Sequence, residues 1–271
     1  MTPDVATTAF AGPVPENYDR YLVPILFEPY ADDLVARLKD LRMANLLEIG
    51  CGTGVVTRRL RDALPASVEM FATDLNRAMV TLAQKKFRND ENLNWREANF
   101  SALPFPDQSF DCVVSQFCLM FVPDKDLANR EAFRVLRTGG VYLFNLWDSL
   151  EHNPVTRIAH ETIIGSFDRD PPLFYETPHG YFDRDAIQRS LEAAGFADIE
   201  VDIVTRPCRS RSANDAASGL VRGTPVSVMI QERGGDLDKI SQKTAQNIGS
   251  QFGNAPVEGT MRALVWKAVR R

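Results

Sequence analysis

The sequence predicts an α/β fold: a doubly wound, mostly parallel sheet of seven strands, with helices on both faces and added helices toward the C-terminus. Short apolar runs alternate with amphipathic stretches from residue 46 to 147, the pattern of βαβ units. Runs such as CVVSQFCLMFV (112–122) are apolar almost throughout, as strands covered on both faces require. A glycine-rich turn joins the first strand to the first helix, as in a ligand-binding βαβ unit.

The elements follow in order. PENYDRYLVPILFEPYADDL (15–34) reads as an amphipathic N-terminal helix carrying Tyr18, Tyr21, Phe27 and Tyr30. The first strand is Leu46–Ile49, ending at Gly50. A helix then starts near Thr53 or Gly54 and stops before Pro65, with Arg58, Arg59 and Arg61 on its wet face. The second strand, Val68 to Thr73, ends at Asp74, and Asn76 caps a helix burying Met79, Leu82, Ala83 and Phe87. Leu93 to Ala98 and Phe110 to Phe117 are the third and fourth strands, with Pro104 and Pro106 between them. A helix over Lys125 to Arg137 ends at Gly139-Gly140, and Val141 to Trp147 is the fifth strand. Asp183 caps a helix closed by Gly195, Ile199 to Thr205 is a strand, and Met261 to Val269 is the last one. Residues 212–252 read as helical, broken near Gly223-Thr224-Pro225 and Gly234-Gly235. One domain is expected: a helical cap (1–44), a ligand-binding core (45–148), and a region that completes the sheet and covers the substrate (149–271).

Composition narrows the class. Of 271 residues, 44% are hydrophobic and 25% charged, an ordinary globular balance. The net charge of -5 weighs against nucleic acid or an anionic membrane as the main partner. The N-terminus MTPDVATTAFAGPVPENYDR lacks the basic start and apolar core of a secretory signal. No run approaches the ~18 apolar residues of a membrane span. Cys51, Cys112, Cys118 and Cys208 form no C-x-x-C pair, and no histidine pair stands at zinc spacing. A soluble, reduced, cytoplasmic protein without metal is expected; no motif fixes its oligomeric state.

Gly50, Gly52 and Gly54 form a G-x-G-x-G turn between strand and helix, where the chain reverses and a ligand approaches bare backbone. A dinucleotide fingerprint would place its third glycine at position 55, which is Val55. That counts against an NAD-type oxidoreductase. Glu48 lies two residues before the first glycine in an apolar strand end, where a carboxylate needs a bonding partner or a nearby cation. Asp74 ends the second strand, where an acid can bind ribose hydroxyls, or alternatively serve as a helix N-cap or turn residue.

The series LLEIGCGTG, ATDLN, LPFPDQSFD and FRVLRTGG resembles the Rossmann-like class I S-adenosylmethionine-dependent methyltransferases over residues 46 to about 147. Within them it is similar to the small-molecule branch of ubiquinone/menaquinone C-methyltransferases, the type 11 family. The resemblance implies S-adenosylmethionine as cofactor and S-adenosylhomocysteine as product. It places Gly50, Cys51, Gly52 and Gly54 along the methionine half, supported by Glu48. Asp74 takes the ribose hydroxyls, Leu75 packs on the adenine, and Gln116 lines the methyl-donor site. Where the family often has an acid after the third strand, this chain has Asn99, followed by Phe100 in place of a small residue. Asn99 can still accept through its carbonyl oxygen, and Phe100 adds an aromatic wall or narrows the pocket. The N-terminal segment of similar enzymes folds over the cofactor, which makes Tyr21 a candidate contact beside its alternative role as core.

Methyl transfer is an in-line displacement from an already activated donor. Alignment alone supplies on the order of 7–11 kcal/mol, so a small-molecule acceptor needs no obvious catalytic triad. Candidate bases are His179, His152, His160 and Asp148, each with an alternative as a surface or helix-capping residue. Phe174, Tyr175, Tyr181 and Phe182 suggest an apolar or aromatic acceptor. Arg206, Arg209 and Arg211 could bind an anionic group but read better as a solvated strand end. A non-catalytic nucleotide-binding or regulatory protein with a retained cofactor pocket is the alternative from another class.

Overall fold

The computed structural model describes residues 12–271; the first eleven residues of the N-terminal stretch discussed above lie outside the described residues. Two compact units emerge, each discontinuous in sequence. A helical unit gathers the described residues up to Pro29 with Asp148–His179 and Thr205–Arg262. A sheet unit gathers Tyr30–Trp147, Gly180–Val204 and Ala263–Arg271. Neither coincides with the three successive segments expected from the sequence.

Seven strands form one sheet: β1 (Asn45–Ile49), β2 (Glu69–Asp74), β3 (Leu93–Glu97), β4 (Phe110–Gln116), β5 (Leu136–Trp147), β6 (Phe196–Ser210) and β7 (Val257–Arg270). Their order is β3-β2-β1-β4-β5-β7-β6. β1 runs parallel to β2 and β4, β2 to β3, and β4 to β5, whereas β7 is antiparallel to β5. The main helices are α1 (Val55–Ala63), α2 (Arg77–Gln84), α3 (Lys125–Val135), α4 (Pro154–Ile164), α5 (Arg184–Ala194) and α6 (Leu237–Phe252). Helices flank the sheet on both sides, as the doubly wound pattern predicts.

In the sheet unit, side chains alternate along β1. Leu46 turns into a core with Leu34, Leu38, Val56, Leu60, Met70 and Val114. Full burial of a leucine such as Leu60 contributes about 1.5–3 kcal/mol. Two residues on, Glu48 shares the face of Leu46 and is drawn inside with it. Caps follow the sequence: Asn76 Oδ1 accepts from the N–H groups of Ala78 and Met79, and Asp183 Oδ1 from Asp185 and Ala186. Gly195, at φ +104, closes α5.

Two expectations in this unit need correction. The helix expected to reach Arg137 ends at Val135. Arg270 on β7 donates to the carbonyls of Phe133, Arg134 and Leu136, satisfying the end of α3 from another strand. β5 therefore begins at Leu136, with Gly139-Gly140 inside it as a kink rather than a helix stop. Arg61 is also not on a wet face. It is buried and donates to the carbonyls of Leu64, Pro65 and Val68, where it caps α1.

In the helical unit, the N-terminal helix is not a regular amphipathic α-helix. Tyr18–Phe27 winds as a wide π-type turn around Pro24, which has no N–H to donate. A second wide segment, Ser218–Arg222, packs on it. A Cβ on Gly219 would stand 2.9 Å from the Tyr21 carbonyl carbon and oxygen, so this crossing needs glycine. The helical run breaks at Gly223-Thr224-Pro225 and Gly234-Gly235 as expected, before α6. β6 and β7 both run longer than expected from the sequence. No helix among the described residues is long and apolar enough to cross a membrane.

Candidate functional site

Strand order reverses between β1 and β4, so a crevice opens beyond their carboxyl ends. The glycine turn lies there. The N–H groups of Gly50 and Cys51 both donate to the Thr73 carbonyl, at 2.7 and 2.8 Å, which ties the turn to β2. Gly50 adopts φ +75, and a Cβ on it would lie 2.5 Å from Cys118 Cβ and Sγ. Any side chain at this position is therefore strained and sterically blocked. Gly54, at φ +85, starts α1. Cys51 is buried, and burial raises its thiol pKa well above the ordinary value. That makes it packing material rather than a nucleophile.

Asp74 stands at the end of β2, half-buried. Its Oδ2 accepts the Gly52 N–H at 2.9 Å and its Oδ1 the Asn76 N–H at 2.8 Å. Burial raises its pKa, against the lowering effect of N–H groups from Asn76, Gly52 and Leu75. The cap of α2 belongs to Asn76, whose own side chain accepts from its first turn, while Asp74 holds the turn that leads into it. Glu48 is 2% exposed, and its Oε2 has no hydrogen-bond partner. Burial pushes its pKa up to about 8, Thr57 lowers it, and the Asp74 charge raises it. Among the described residues, no salt bridge reaches Glu48 or Asp74. Two carboxyl groups beside bare glycine backbone, one with an unused oxygen, fit a ligand carrying a diol and positive charge.

Gln116 ends β4, and its Oε1 accepts from Asn145 Nδ2 at 3.4 Å. Asn145, which sequence reasoning missed, also takes the Phe117 N–H on its Oδ1 at 3.0 Å. Phe117 adopts φ +50, an unusual conformation for a non-glycine residue, and stacks on Trp147 with centroids 3.7 Å apart. A polar side chain inside the apolar run VYLFNLW was the available signal. Asn99 is exposed, with Oδ1 accepting from the Ser101 N–H, so the acceptor proposed for adenine already makes a local turn. Phe100 is 4% exposed and sits in the core instead of forming an open wall. Leu75 is half-buried beside Asp74.

Most of the remaining candidates belong to the helical unit. Asp148 does not cap the helix after it, because α4 begins at Asn153 without a side-chain cap. Its Oδ2 instead accepts from Arg262 Nε at 2.6 Å and its Oδ1 from the Ser149 N–H at 2.7 Å. His179 Nδ1 lies 2.7 Å from the Asp148 carbonyl, which can only accept, so Nδ1 carries the proton. Burial pushes the His179 pKa down to about 4. His160 is half-buried with its pKa lowered by burial, and His152 is exposed. Tyr21 is half-buried under the Arg20 guanidinium. Phe174 and Tyr175 are buried in this unit, whereas Tyr181 and Phe182 belong to the sheet unit, half-buried and exposed. Arg209 pairs with Glu258 and Arg211 with Asp215, both solvated.

Residues 47–144, all in the sheet unit, match a methyltransferase domain model. The ubiquinone/menaquinone biosynthesis C-methyltransferase of Pasteurella multocida is 38% identical over 42% of this chain, and the match spans only 44% of that relative. The corresponding enzyme of Edwardsiella ictaluri is 31% identical over 59% of this chain and 69% of its own length. A solved Thermotoga maritima S-adenosylmethionine-dependent methyltransferase, titled a possible histamine N-methyltransferase, shares the fold with a TM-score of 0.58. That likeness has 17% identity and covers 97% of this chain and 99% of that one. The oxidoreductase alternative finds no support. The chain belongs to the class I S-adenosylmethionine-dependent methyltransferases, in the family that includes the ubiquinone/menaquinone biosynthesis C-methyltransferases.

Proposed function

We propose that the protein transfers a methyl group from S-adenosylmethionine to a small-molecule acceptor. The observation that carries this reading is the glycine turn at the β1 carboxyl end, flanked by Asp74 and by Glu48 with its unused oxygen. Asp74 would orient the ribose through its carboxylate, and Glu48 would face the cationic methionine end. Gly50, Cys51, Gly52 and Gly54 would line that end, with Leu75 and Asn99 toward the adenine and Gln116 toward the methyl donor. The bound cofactor supplies a methyl group already activated on a sulfonium. The protein's contribution is then alignment and exclusion of water.

An apolar or aromatic acceptor is favoured by analogy with relatives named for ubiquinone/menaquinone biosynthesis. The test is transfer of labelled methyl from S-adenosylmethionine to a panel of phenolic and quinol acceptors. Transfer above a Gly50→Ala control supports the reading. Cofactor binding by folded protein with no transfer to any acceptor would favour the non-catalytic alternative.

A further inference from the structure

The interior of the sheet unit holds one carboxyl group whose surroundings suit a proton better than a charge. Glu48 is 2% exposed, with Oε2 unbonded, and it sits on the strand face that buries Leu46. The groups around it come from four elements. Asp74 on β2 is a second carboxylate and opposes its ionisation. Thr57 on α1 is the only group favouring the charge. Cys51 in the turn is a neutral thiol, and Val114 is the β4 residue paired with Glu48. The cations of α1 and of the stretch after α2 bond elsewhere: Arg58 pairs with Asp62 and Glu91, Arg61 holds three carbonyls, and Lys86 donates to the Thr53 carbonyl. A buried carboxylate with no cation is costly, and protonation removes most of that cost.

We propose that Glu48 is a neutral acid in the cofactor-free chain and releases its proton when the cationic methyl donor enters the glycine turn. This rests on the methyltransferase reading. The proton passes to solvent, and the carboxylate that remains is balanced by the ligand's positive charge. Glu48 thereby favours a cationic ligand over a neutral one of the same shape, and binding becomes pH-dependent. Asp74 differs because backbone N–H groups from Gly52 and Asn76 already hold its charge.

The test is calorimetric titration of the full chain with S-adenosylmethionine near pH 7, in buffers of different ionisation enthalpy, for wild type and Glu48→Gln. Glutamine keeps the shape of the neutral acid, and subtracting its result cancels any proton taken up by the ligand's own amino group. The wild type is expected to release roughly one proton more per ligand than Glu48→Gln. Its affinity should also rise roughly tenfold per pH unit between about pH 6 and 7, while the variant's stays flat. A carboxyl-carbon NMR titration of the free wild-type chain gives an independent reading, with Glu48 expected to titrate well above ordinary glutamates. Binding with equal proton counts in the two proteins, or Glu48 titrating in the ordinary range, would overturn the proposal. No binding by folded wild type would overturn the methyltransferase reading itself.

Discussion

In the sheet unit, Glu48 is buried and Asp74 half-buried, and among the described residues no cation bonds to either carboxyl group. In the helical unit, Asp148 is buried but closed off by Arg262 and the Ser149 N–H, and His179 is fastened to the Asp148 carbonyl. One unit keeps polar capacity unspent at the end of a strand, and the other consumes it internally. Unspent capacity beside bare glycine backbone is what supports the proposed ligand site, whereas a closed network fixes a fold. The family model matches residues 47–144, which lie within the sheet unit.

The contrast has opposite pH signatures. Glu48 has a folded pKa raised to about 8 from 4.5, so between those values the native state holds the proton and the unfolded state does not. Stability contributed by the neutral acid is complete below about pH 4.5 and is lost as pH rises through about 8. Glu48→Gln should therefore gain on the wild type by roughly 3–5 kcal/mol between those limits, read from urea midpoints across pH. An equal pH slope in both proteins would break the comparison on the sheet side.

His179 carries the reverse sign. Its folded pKa of about 4 lies below the ordinary 6.5, so the unfolded state binds the proton first as pH falls. Its contribution is present above pH 6.5 and lost toward pH 4. His179→Gln should flatten the acid limb by roughly 2–4 kcal/mol, measured the same way. The smallest effect is expected from Asp148→Asn, which leaves the partly exposed Arg262 without its charge partner. About 1–2 kcal/mol of stability should go, since solvent screens the arginine, with little change in affinity for the methyl donor.

How much of this was legible in the sequence differs by unit. β1, β2 and β4 and the start of α1 could be placed within a residue or two, because apolar runs, glycines and prolines act locally. The end of α3 could not, since Arg270 satisfies its carbonyls from 136 residues beyond the last of them that α3 contains, and no local stop signal encodes that. Arg61 misled for the same reason: its helical position reads as solvent-facing, while its guanidinium returns to the carbonyls closing α1. In the site, Glu48, Asp74 and the glycines stand out because each is a chemical exception within its run. Asn145 and the left-handed Phe117 were missed because their relation runs across two strands. The helical unit was legible as helices, but the wide winding around Pro24 depends on a partner segment roughly two hundred residues away in sequence, and no local pattern announces it.

The central claim is that Asp74 and the glycine turn form the cofactor site. Its most direct test is calorimetric titration of the purified protein with S-adenosylmethionine, with NAD as control and Asp74→Ala alongside. Micromolar binding of the methyl donor, weakened about 100-fold or more in a folded Asp74→Ala and absent for NAD, is the predicted result. No binding of either ligand by folded, cofactor-free wild type, or undiminished binding in Asp74→Ala, would contradict it.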